Sequence, residues 1–334
     1  MRVCIFGAGA IGGYIAAHLA RAPGVEVSVV ARGPHLDAMR EHGLRVVGPD
    51  GMFISHVSVT DRPEELGPQD YVFITLKSHQ VGPALDGIAT LIGPGTTVVP
   101  PTTGIPYWYF HRHPGSLAER RLGALDPGGR QWDVLGPDRA LGCVYWVATE
   151  VETPGVIRHD GVGASFPMGE PDGTQSTRLG YIAGAMREGG LKAPVTDNIR
   201  GWLWIKMISS LCWNPVATLG HATLGEVHDV PDAVELVRRM MVEAEAVAGT
   251  LGVTLPVGRE KRIAATQRAG GHRMSMLQDL ERERPLEIDV LADSIATMRD
   301  IAGLATPTID TVLTLLRLRA HTVRTKQDAG APQS

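Results

Sequence analysis

A glycine-rich turn near the amino terminus limits the folds that this chain can adopt. The apolar run RVCIF suits a buried strand, GAGAIGG follows at once, and YIAAHLARA then has the pattern of a helix. In a GxGxxG turn the first glycine allows the sharp bend, the second lets the backbone approach a pyrophosphate, and the third lets the helix pack on the strand. The alternative is a glycine turn with a structural role only. We predict a dinucleotide-binding turn made of Gly7, Ala8, Gly9, Ala10, Ile11 and Gly12.

The end of the next predicted strand, VEVSVVA at residues 25 to 31, indicates which dinucleotide is bound. At this place an NAD site usually offers Asp or Glu to the ribose hydroxyls. This chain has Arg32, whose guanidinium suits a 2'-phosphate. The sequence therefore favours NADP(H), although Arg32 could also be read as a solvated residue at a strand end.

Size and composition limit the class of protein. The chain has 334 residues, enough for two domains, and its 43% hydrophobic and 20% charged residues are typical of a globular protein. A net charge of -4 and a pI near 6.3 give no general attraction to nucleic acid or to anionic membranes. No run of about 18 apolar residues is present, and Cys4, Cys143 and Cys212 lie far apart without metal or disulfide spacing. We expect a cytoplasmic protein that acts on a small molecule.

The hydrophobic patterns change character part-way along the chain. In the first half, short apolar runs such as ISHVSVT, YVFITLK and TTVVPPT alternate with helix-like stretches, which indicates βαβ units and a largely parallel sheet; the later runs, ALGCVYWVATEV and a segment that ends near Met168, could be antiparallel. From about residue 196 apolar residues recur at intervals of three and four, which indicates helices only. We predict an α/β fold, with a Rossmann-type dinucleotide-binding domain at residues 1–194 and an all-helical domain at 195–334, ending in a frayed tail, TKQDAGAPQS.

The stretch GWLWIKMISSLCWNP places Lys206 inside an apolar run. Removing an ammonium group from water is costly, so either the side chain extends its amine to solvent or the lysine has a chemical role. Lys206, Ser210 and Asn214 are each four residues apart and would form one stripe of a helix. A polar stripe on an apolar helix requires a cleft or water beside it, and Pro215 would distort the turn that follows.

Five segments together resemble the ketopantoate reductase family over nearly the whole chain. They are GAGAIGGYIAAHLA with Arg32 after the second strand, ITLKSHQ around Lys77, TTGIPYWYF, LWIKMISSLCWNP and SMLQDLERERPLEID. The last two are specific in combination, because they pair a lysine and an asparagine eight residues later with a serine and a glutamate twelve residues later. The resemblance implies reduction of a 2-keto acid to a 2-hydroxy acid with NADPH, in a cleft between a Rossmann domain and a helical domain, and a place in pantothenate biosynthesis.

The resemblance also implies roles for individual residues. Lys206 would be the general acid, Glu287 would share its network, and Asn214 and Ser275 would contact the hydroxyl end and the carboxylate of the substrate. Lys77 would lie near the nicotinamide ribose. Alternatives remain for two of them: Glu287 could be a surface residue of the charged stretch ERERPLE, and Ser275 could cap a helix that starts near Met276.

The proposed acid makes chemical sense because a carbonyl oxygen becomes an alkoxide when hydride reaches its carbon, and an ammonium supplies both a proton and a positive charge there. Burial lowers the pKa of a lysine, whereas a neighbouring carboxylate such as Glu287 favours its charged form. These two effects oppose each other, and the sequence does not decide between them.

Two positions depart from the pattern of the family. Thr103 stands where an asparagine near the nicotinamide is usual, and Ser210 stands where a second asparagine near the substrate is usual. Both keep a hydrogen-bonding group with a shorter reach, so the pocket should differ. Ketopantoate is the default substrate; alternatives are a bulkier or aromatic 2-keto acid, as for a D-2-hydroxyacid dehydrogenase, and a catalytically silent NADP-binding protein.

Other polar and aromatic features carry less weight. The aromatic cluster of residues 107–110 could line a pocket for a bulky substrate or could be core. His111 and His113 alternate, but the histidines otherwise lack the spacing of metal ligands, so no metal is expected. The resemblance makes a homodimer through the helical domain plausible.

Overall fold

The structure is a computed structural model that describes residues 1–161 and 163–330. It divides into two compact units, Met1–Arg200 and Gly201–Ser334. The division falls near the start of a long helix, slightly after the predicted boundary at 194/195. The strands of the described residues are β1 (Arg2–Phe6), β2 (Glu26–Val30), β3 (Leu44–Gly48), β4 (Gly51–Ser55), β5 (Ser58–Thr60), β6 (Tyr71–Ile74), β7 (Thr97–Val99), β8 (Gly142–Cys143), β9 (Thr149–Thr153), β10 (Val156–His159) and β11 (Met168–Gly169).

The α-helices alternate with strands in the first unit and follow one another in the second. They are α1 (Ala10–Leu19), α2 (Gly33–His42), α3 (Ser78–Ala89), α4 (Arg130–Leu135), α5 (Thr177–Glu188), α6 (Ile199–Gly220), α7 (Leu224–His228), α8 (Pro231–Thr250), α9 (Arg259–Arg268), α10 (Ser275–Glu281), α11 (Ile288–Ala302) and α12 (Pro307–Gly330).

The main sheet of the first unit is parallel throughout, in the order β5-β2-β1-β6-β7. Val3 pairs with Val27 on one side and Tyr71 on the other, so the winding of the chain reverses at β1. In open α/β sheets, ligands bind outside the carboxyl ends of the strands at such a reversal. This arrangement confirms the predicted Rossmann-type fold and places the segments after β1, β2, β6 and β7 at one edge of the sheet.

A second sheet of order β4-β3-β10-β9 mixes parallel and antiparallel pairs, and β8 pairs antiparallel with β11. The run ISHVSVT is therefore not one strand. Ile54 pairs with Arg45 in the second sheet, whereas Val59 pairs with Val29 in the main sheet. Helix α1 contacts strands of both sheets and is buried on nearly all sides, which explains why its sequence is apolar with only weak periodicity.

In the described part of residues 201–330 the regular structure is helical, as predicted. The segment SMLQDLERERPLEIDVLADSIATMRDIAG forms two helices, α10 and α11, because the chain turns between them at Glu283, whose φ is 56°, and at Pro285. Helix α6 continues through Pro215 to Gly220 instead of ending there.

Helices α8, α11 and α12 pack on one another. The carboxylate of Glu243 in α8 accepts the backbone N–H groups of Thr308 and Ile309 at 2.9 and 3.0 Å, and so caps α12. The predicted frayed tail is partly in α12, up to Gly330, and residues 331–334 lie outside the described residues. None of the helices among the described residues combines the length and apolarity that crossing a bilayer requires.

Candidate active site

The glycine-rich turn is held between three strands of the main sheet. Gly7 directly follows β1 with φ of 106°, a value that favours glycine, and its N–H donates to the carbonyl of Val30 at 3.0 Å. The hydroxyl of Thr75, at the end of β6, donates to the carbonyl of Gly7 at 2.5 Å. The bend in the turn is therefore fixed by both neighbours of β1.

The other two glycines have opposite environments. A Cβ atom at Gly12 would overlap the carbonyl oxygen of Gly7 and the hydroxyl of Thr75, so only glycine lets α1 approach the turn this closely. Gly9 is exposed, and a Cβ atom there would have no atom within 4 Å. Gly9 precedes the first residue of α1 and supplies no side-chain cap, and the first turn of α1 carries no acidic residue. Open space in front of a helix amino terminus is an environment that suits a pyrophosphate, and its binding at this turn stays a prediction.

Arg32 is exposed and is the N-cap residue of α2. Three residues later, the Nδ1 of His35 accepts the N–H of Gly155, which lies between β9 and β10, at 2.9 Å. Burial lowers the pKa of His35, while the nearby backbone of Ala8 in the glycine-rich turn opposes this shift. His35 thus fixes the first turn of α2, the turn that begins at Arg32. No local pattern in the sequence signals this contact, because Gly155 lies far along the chain.

Lys77 and Thr103 come together after β6 and β7. Lys77 is half-buried and precedes α3. Its backbone N–H donates to the side-chain oxygen of Gln80 at 3.2 Å. The hydroxyl of Ser78 donates to the carbonyl of Thr103 at 3.4 Å, and the next residue, Gly104, has φ of 80°. The structure therefore gathers Lys77 and Thr103 at the same edge of the sheet as the glycine-rich turn.

In the second unit, Lys206 lies on a face of α6 that is less buried than its surroundings. Lys206 and Ser210 are half-buried, whereas the intervening Met207 and Ile208 are 1% and 0% exposed. Part of the Lys206 side chain therefore keeps contact with solvent. Protein atoms nevertheless surround its amine closely enough that burial lowers the pKa of Lys206 to about 8. A side chain that simply extended its amine into water would keep a pKa near 10.4.

Asn214 completes the polar stripe but is itself buried, with 4% of its surface exposed. Its Oδ1 accepts the N–H of Met276 at 3.3 Å, which links α6 to the start of α10. Ser275 is the first residue of α10 and is exposed, and the capping position belongs to Met274, whose side chain makes no cap bond. The alternative that Ser275 caps this helix therefore finds no support.

Glu287 occupies the N-cap position of α11, where the positive end of the helix dipole favours a carboxylate. It is half-buried, whereas Glu281, Glu283 and Arg284 in the preceding charged stretch are exposed. Glu287 thus differs from the solvated residues around it.

The aromatic cluster of residues 107–110 is fully packed within the first unit. Its four side chains are between 0% and 3% exposed, the Tyr107 hydroxyl donates to the carbonyl of Gly136 at 3.2 Å, and Tyr109 packs edge-on against Phe110. His111 lies between the carboxylates of Glu119 and Asp138, at 2.9 and 3.3 Å. Within the described residues no group of three or more His, Cys, Asp or Glu side chains is arranged to hold a metal ion.

Comparisons with known proteins agree over most of the chain. The family model described as ketopantoate reductase PanE/ApbA matches residues 3–173, and the model of its carboxyl-terminal domain matches residues 198–320. A 2-dehydropantoate 2-reductase of Mesorhizobium japonicum is 45% identical over 95% of this chain and 97% of the relative.

Solved structures extend the similarity to three dimensions. A crystal structure described as a putative ketopantoate reductase from Ralstonia solanacearum superimposes with a TM-score of 0.88 at 39% identity, covering 96% of this chain and 98% of the other. A D-mandelate dehydrogenase solved with NADH and anilino(oxo)acetate has the same fold, with a TM-score of 0.82 at 21% identity over 97% of this chain and 100% of the other. From the two family models and the close relative together, the chain belongs to the ketopantoate reductase family.

Proposed function

We propose that this protein reduces 2-dehydropantoate to pantoate with NADPH as the hydride donor. The observation that carries the proposal is Lys206, an amine on an apolar helix whose pKa is lowered by burial to about 8. Membership of the ketopantoate reductase family supports it, as does a relative named 2-dehydropantoate 2-reductase that is 45% identical. We assign cofactor binding to residues 1–194 and substrate binding to residues 195–334.

Bound NADPH would supply a hydride to the keto carbon of the substrate. The keto oxygen then carries the electron pair of the former π bond, and Lys206 donates a proton to it: one N–H bond breaks, one O–H bond forms, and the ammonium becomes an amine that recovers a proton from solvent. A pKa of about 8 leaves Lys206 mostly charged at neutral pH while making it a stronger acid than a solvated lysine. We assign Glu287 the role of holding this charge in place.

The remaining site residues bind and orient. Gly9 and the first turn of α1 offer backbone N–H groups and open space to a pyrophosphate, and Arg32 offers a guanidinium to a 2'-phosphate. We assign Lys77 and Thr103 to the nicotinamide side of the cofactor. Ser275, whose exposed position leaves its hydroxyl accessible, is assigned to the substrate carboxylate together with Ser210.

The competing functions have less support. The side chains of the aromatic cluster are almost completely buried, so they are not available to line an open pocket for a bulky substrate, and the likeness to D-mandelate dehydrogenase concerns the fold alone. A silent NADP-binding protein would have no need of an amine whose burial is unfavourable. The cytoplasmic location, the absence of nucleic acid and membrane partners, and a homodimer stay predictions from charge, composition and resemblance.

A panel of 2-keto acids tests the proposed substrate. In steady-state assays of NADPH oxidation, kcat/KM should be highest for ketopantoate, because the relatives are named for acting on it. For phenylglyoxylate, which is larger and aromatic, kcat/KM should be about 10-fold or more lower. A preference for phenylglyoxylate would favour the D-2-hydroxyacid dehydrogenase alternative. Tight NADPH binding without turnover of any 2-keto acid would favour the silent protein.

Replacing Arg32 with alanine tests the cofactor assignment. Arg32 is exposed, so its loss should leave folding intact, while removing the positive charge offered to the 2'-phosphate. We expect the Kd for NADPH to rise about 10- to 100-fold and the Kd for NADH to change less than about 3-fold, as measured by nicotinamide fluorescence. Exposed Arg40, in the last turn of the same helix, provides the control R40A, which should change neither value. Equal losses for both cofactors in R32A would remove the phosphate assignment.

A further inference from the structure

The bond between Asn214 and α10 joins two helices that both carry proposed site residues. Met276 is the second residue of α10, so its N–H has no partner within the helix. It donates to the Oδ1 of Asn214, a residue of α6, at an N to O distance of 3.3 Å. The capping residue Met274 makes no side-chain bond. Asn214 therefore takes the part of an N-terminal cap from a different helix.

Helix α10 depends on such an anchor. It has 7 residues, which is about two turns, and helices this short are unstable without tertiary contacts. Its apolar residues Met276, Leu277 and Leu280 are buried, and the ion pair between Arg273 and Glu281 lies at the surface. Apolar packing is non-directional, so it holds the helix against its neighbours without fixing its position along its axis. The hydrogen bond that the Met276 N–H donates to the buried Asn214 fixes that position.

The same bond constrains Asn214. A carboxamide has one oxygen that accepts and one amino group that donates. Since the oxygen of Asn214 faces the Met276 amide, the orientation of the carboxamide is set by α10. The resemblance to the family suggests only a contact with the substrate, whereas the geometry gives the side chain a second task inside the helical unit.

We propose that Asn214 is a positioning residue, which holds the first turn of α10 and thereby fixes Ser275 relative to α6, the helix of Lys206. Ser275 is the neighbour of the bonded Met276 and is exposed, so a shift of this turn moves its hydroxyl directly. Misplacement of a binding group by about 1 Å is enough to weaken catalysis substantially. The inference rests on the proposed function for the role of Ser275, but the link itself does not.

Hydrogen–deuterium exchange of the peptide that contains residues 275–281 tests the link without any substrate. In N214A the exchange of this peptide should accelerate about 3- to 30-fold, the range for loss of a helix cap, while the peptides of α8 keep their wild-type rates. N214D keeps an acceptor oxygen at the same position and should keep slow exchange. S209A, a half-buried serine of the same helix, is the matched control. Fast exchange in N214D, or unchanged exchange in N214A, would overturn the positioning role.

A double-mutant cycle with Ser275 then tests the functional consequence. S275A and N214A should each raise the KM for ketopantoate about 10-fold, the range for a lost hydrogen bond to a charged group. The double variant should be no worse than either single variant, because Ser275 has already lost its position in N214A. Multiplication of the two effects to about 100-fold would mean that Asn214 acts on the substrate independently. If the wild type does not reduce ketopantoate, the proposed function fails, and the exchange comparison still decides the positioning role.

Discussion

Replacing Lys206 with alanine should lower kcat for ketopantoate reduction by about 100- to 10,000-fold, the range for loss of a positioned acid. The Kd for NADPH should change less than about 3-fold, because the cofactor contacts are assigned to the first unit. The fall in kcat has an electrostatic reason: without the ammonium, the negative charge that forms on the keto oxygen has neither a proton donor nor a fixed cation beside it.

Removing the charge of Lys206 should raise the free energy of unfolding although it lowers activity. Burial lowers the pKa of Lys206 from 10.5 to about 8, so below pH 8 the folded protein holds a charge that the unfolded chain would hold more favourably. This destabilising contribution is complete below pH 8 and disappears as pH rises from 8 to 10.5. Lys206→Met has a similar shape and no charge, and should stabilise the protein at pH 7 by about 1–2 kcal/mol after allowance for the half-exposed side chain.

Stopped-flow single turnovers and thermal unfolding measure the two effects together. The matched control is Lys261→Ala, which removes an exposed lysine of α9 in the same unit and should alter neither kcat nor Tm. Loss of NADPH binding in proportion to kcat would make Lys206 a cofactor ligand. A fall in Tm with methionine would make it a structural residue.

The glycine pair of the turn should separate stability from cofactor binding. Gly12→Ala places a Cβ atom against the Gly7 carbonyl and the Thr75 hydroxyl, both of which are fixed by hydrogen bonds to the sheet. We expect a loss of about 1–3 kcal/mol in unfolding free energy, typical of overpacking, together with a loss of NADPH affinity of at least about 10-fold because the turn must open.

Gly9→Ala is the matched variant with a different result. Gly9 has φ of -63°, which alanine adopts readily, and a Cβ atom there meets no other atom. The free energy of unfolding should therefore stay within about 0.5 kcal/mol of the wild type. The added methyl group fills the space assigned to the pyrophosphate, so NADPH affinity should fall about 10-fold or more. Calorimetric titration with NADPH and thermal unfolding distinguish the two variants, and normal affinity in Gly9→Ala would remove the pyrophosphate from this place.

The features that could be predicted from the sequence are those whose signal is local. The turn GAGAIGG is flanked by a strand and a helix in the chain itself, and Arg32 follows the next strand directly, so the order of residues is enough to locate both. Lys206 is identifiable because an ammonium group within an apolar run is costly to remove from water. The half-buried position of Lys206 and its lowered pKa agree with that interpretation.

The features that could not be predicted depend on partners far along the chain. The run ISHVSVT has the pattern of one strand, but β4 and β5 join different sheets because their partners are β3 and β2. The contact of His35 with Gly155 and the bond of Asn214 to Met276 join residues that are 120 and 62 positions apart. Periodicity reports which face of an element is apolar, but it carries no information about which distant backbone group a polar side chain will meet.

In the proposed reaction, Lys206 gives up a proton during reduction from an ammonium group whose pKa burial lowers to about 8. The most direct test is the pH dependence of kcat/KM for ketopantoate at saturating NADPH between about pH 6 and 10.5. The acid must be protonated to react, so kcat/KM should be level at low pH and should fall about tenfold per pH unit above a break near 8. In Lys206→Arg, whose side chain stays charged over this range, the residual activity should lack that break. A wild-type profile that stays level to about pH 10, or the same break in the arginine variant, would contradict the assignment of Lys206 as the acid.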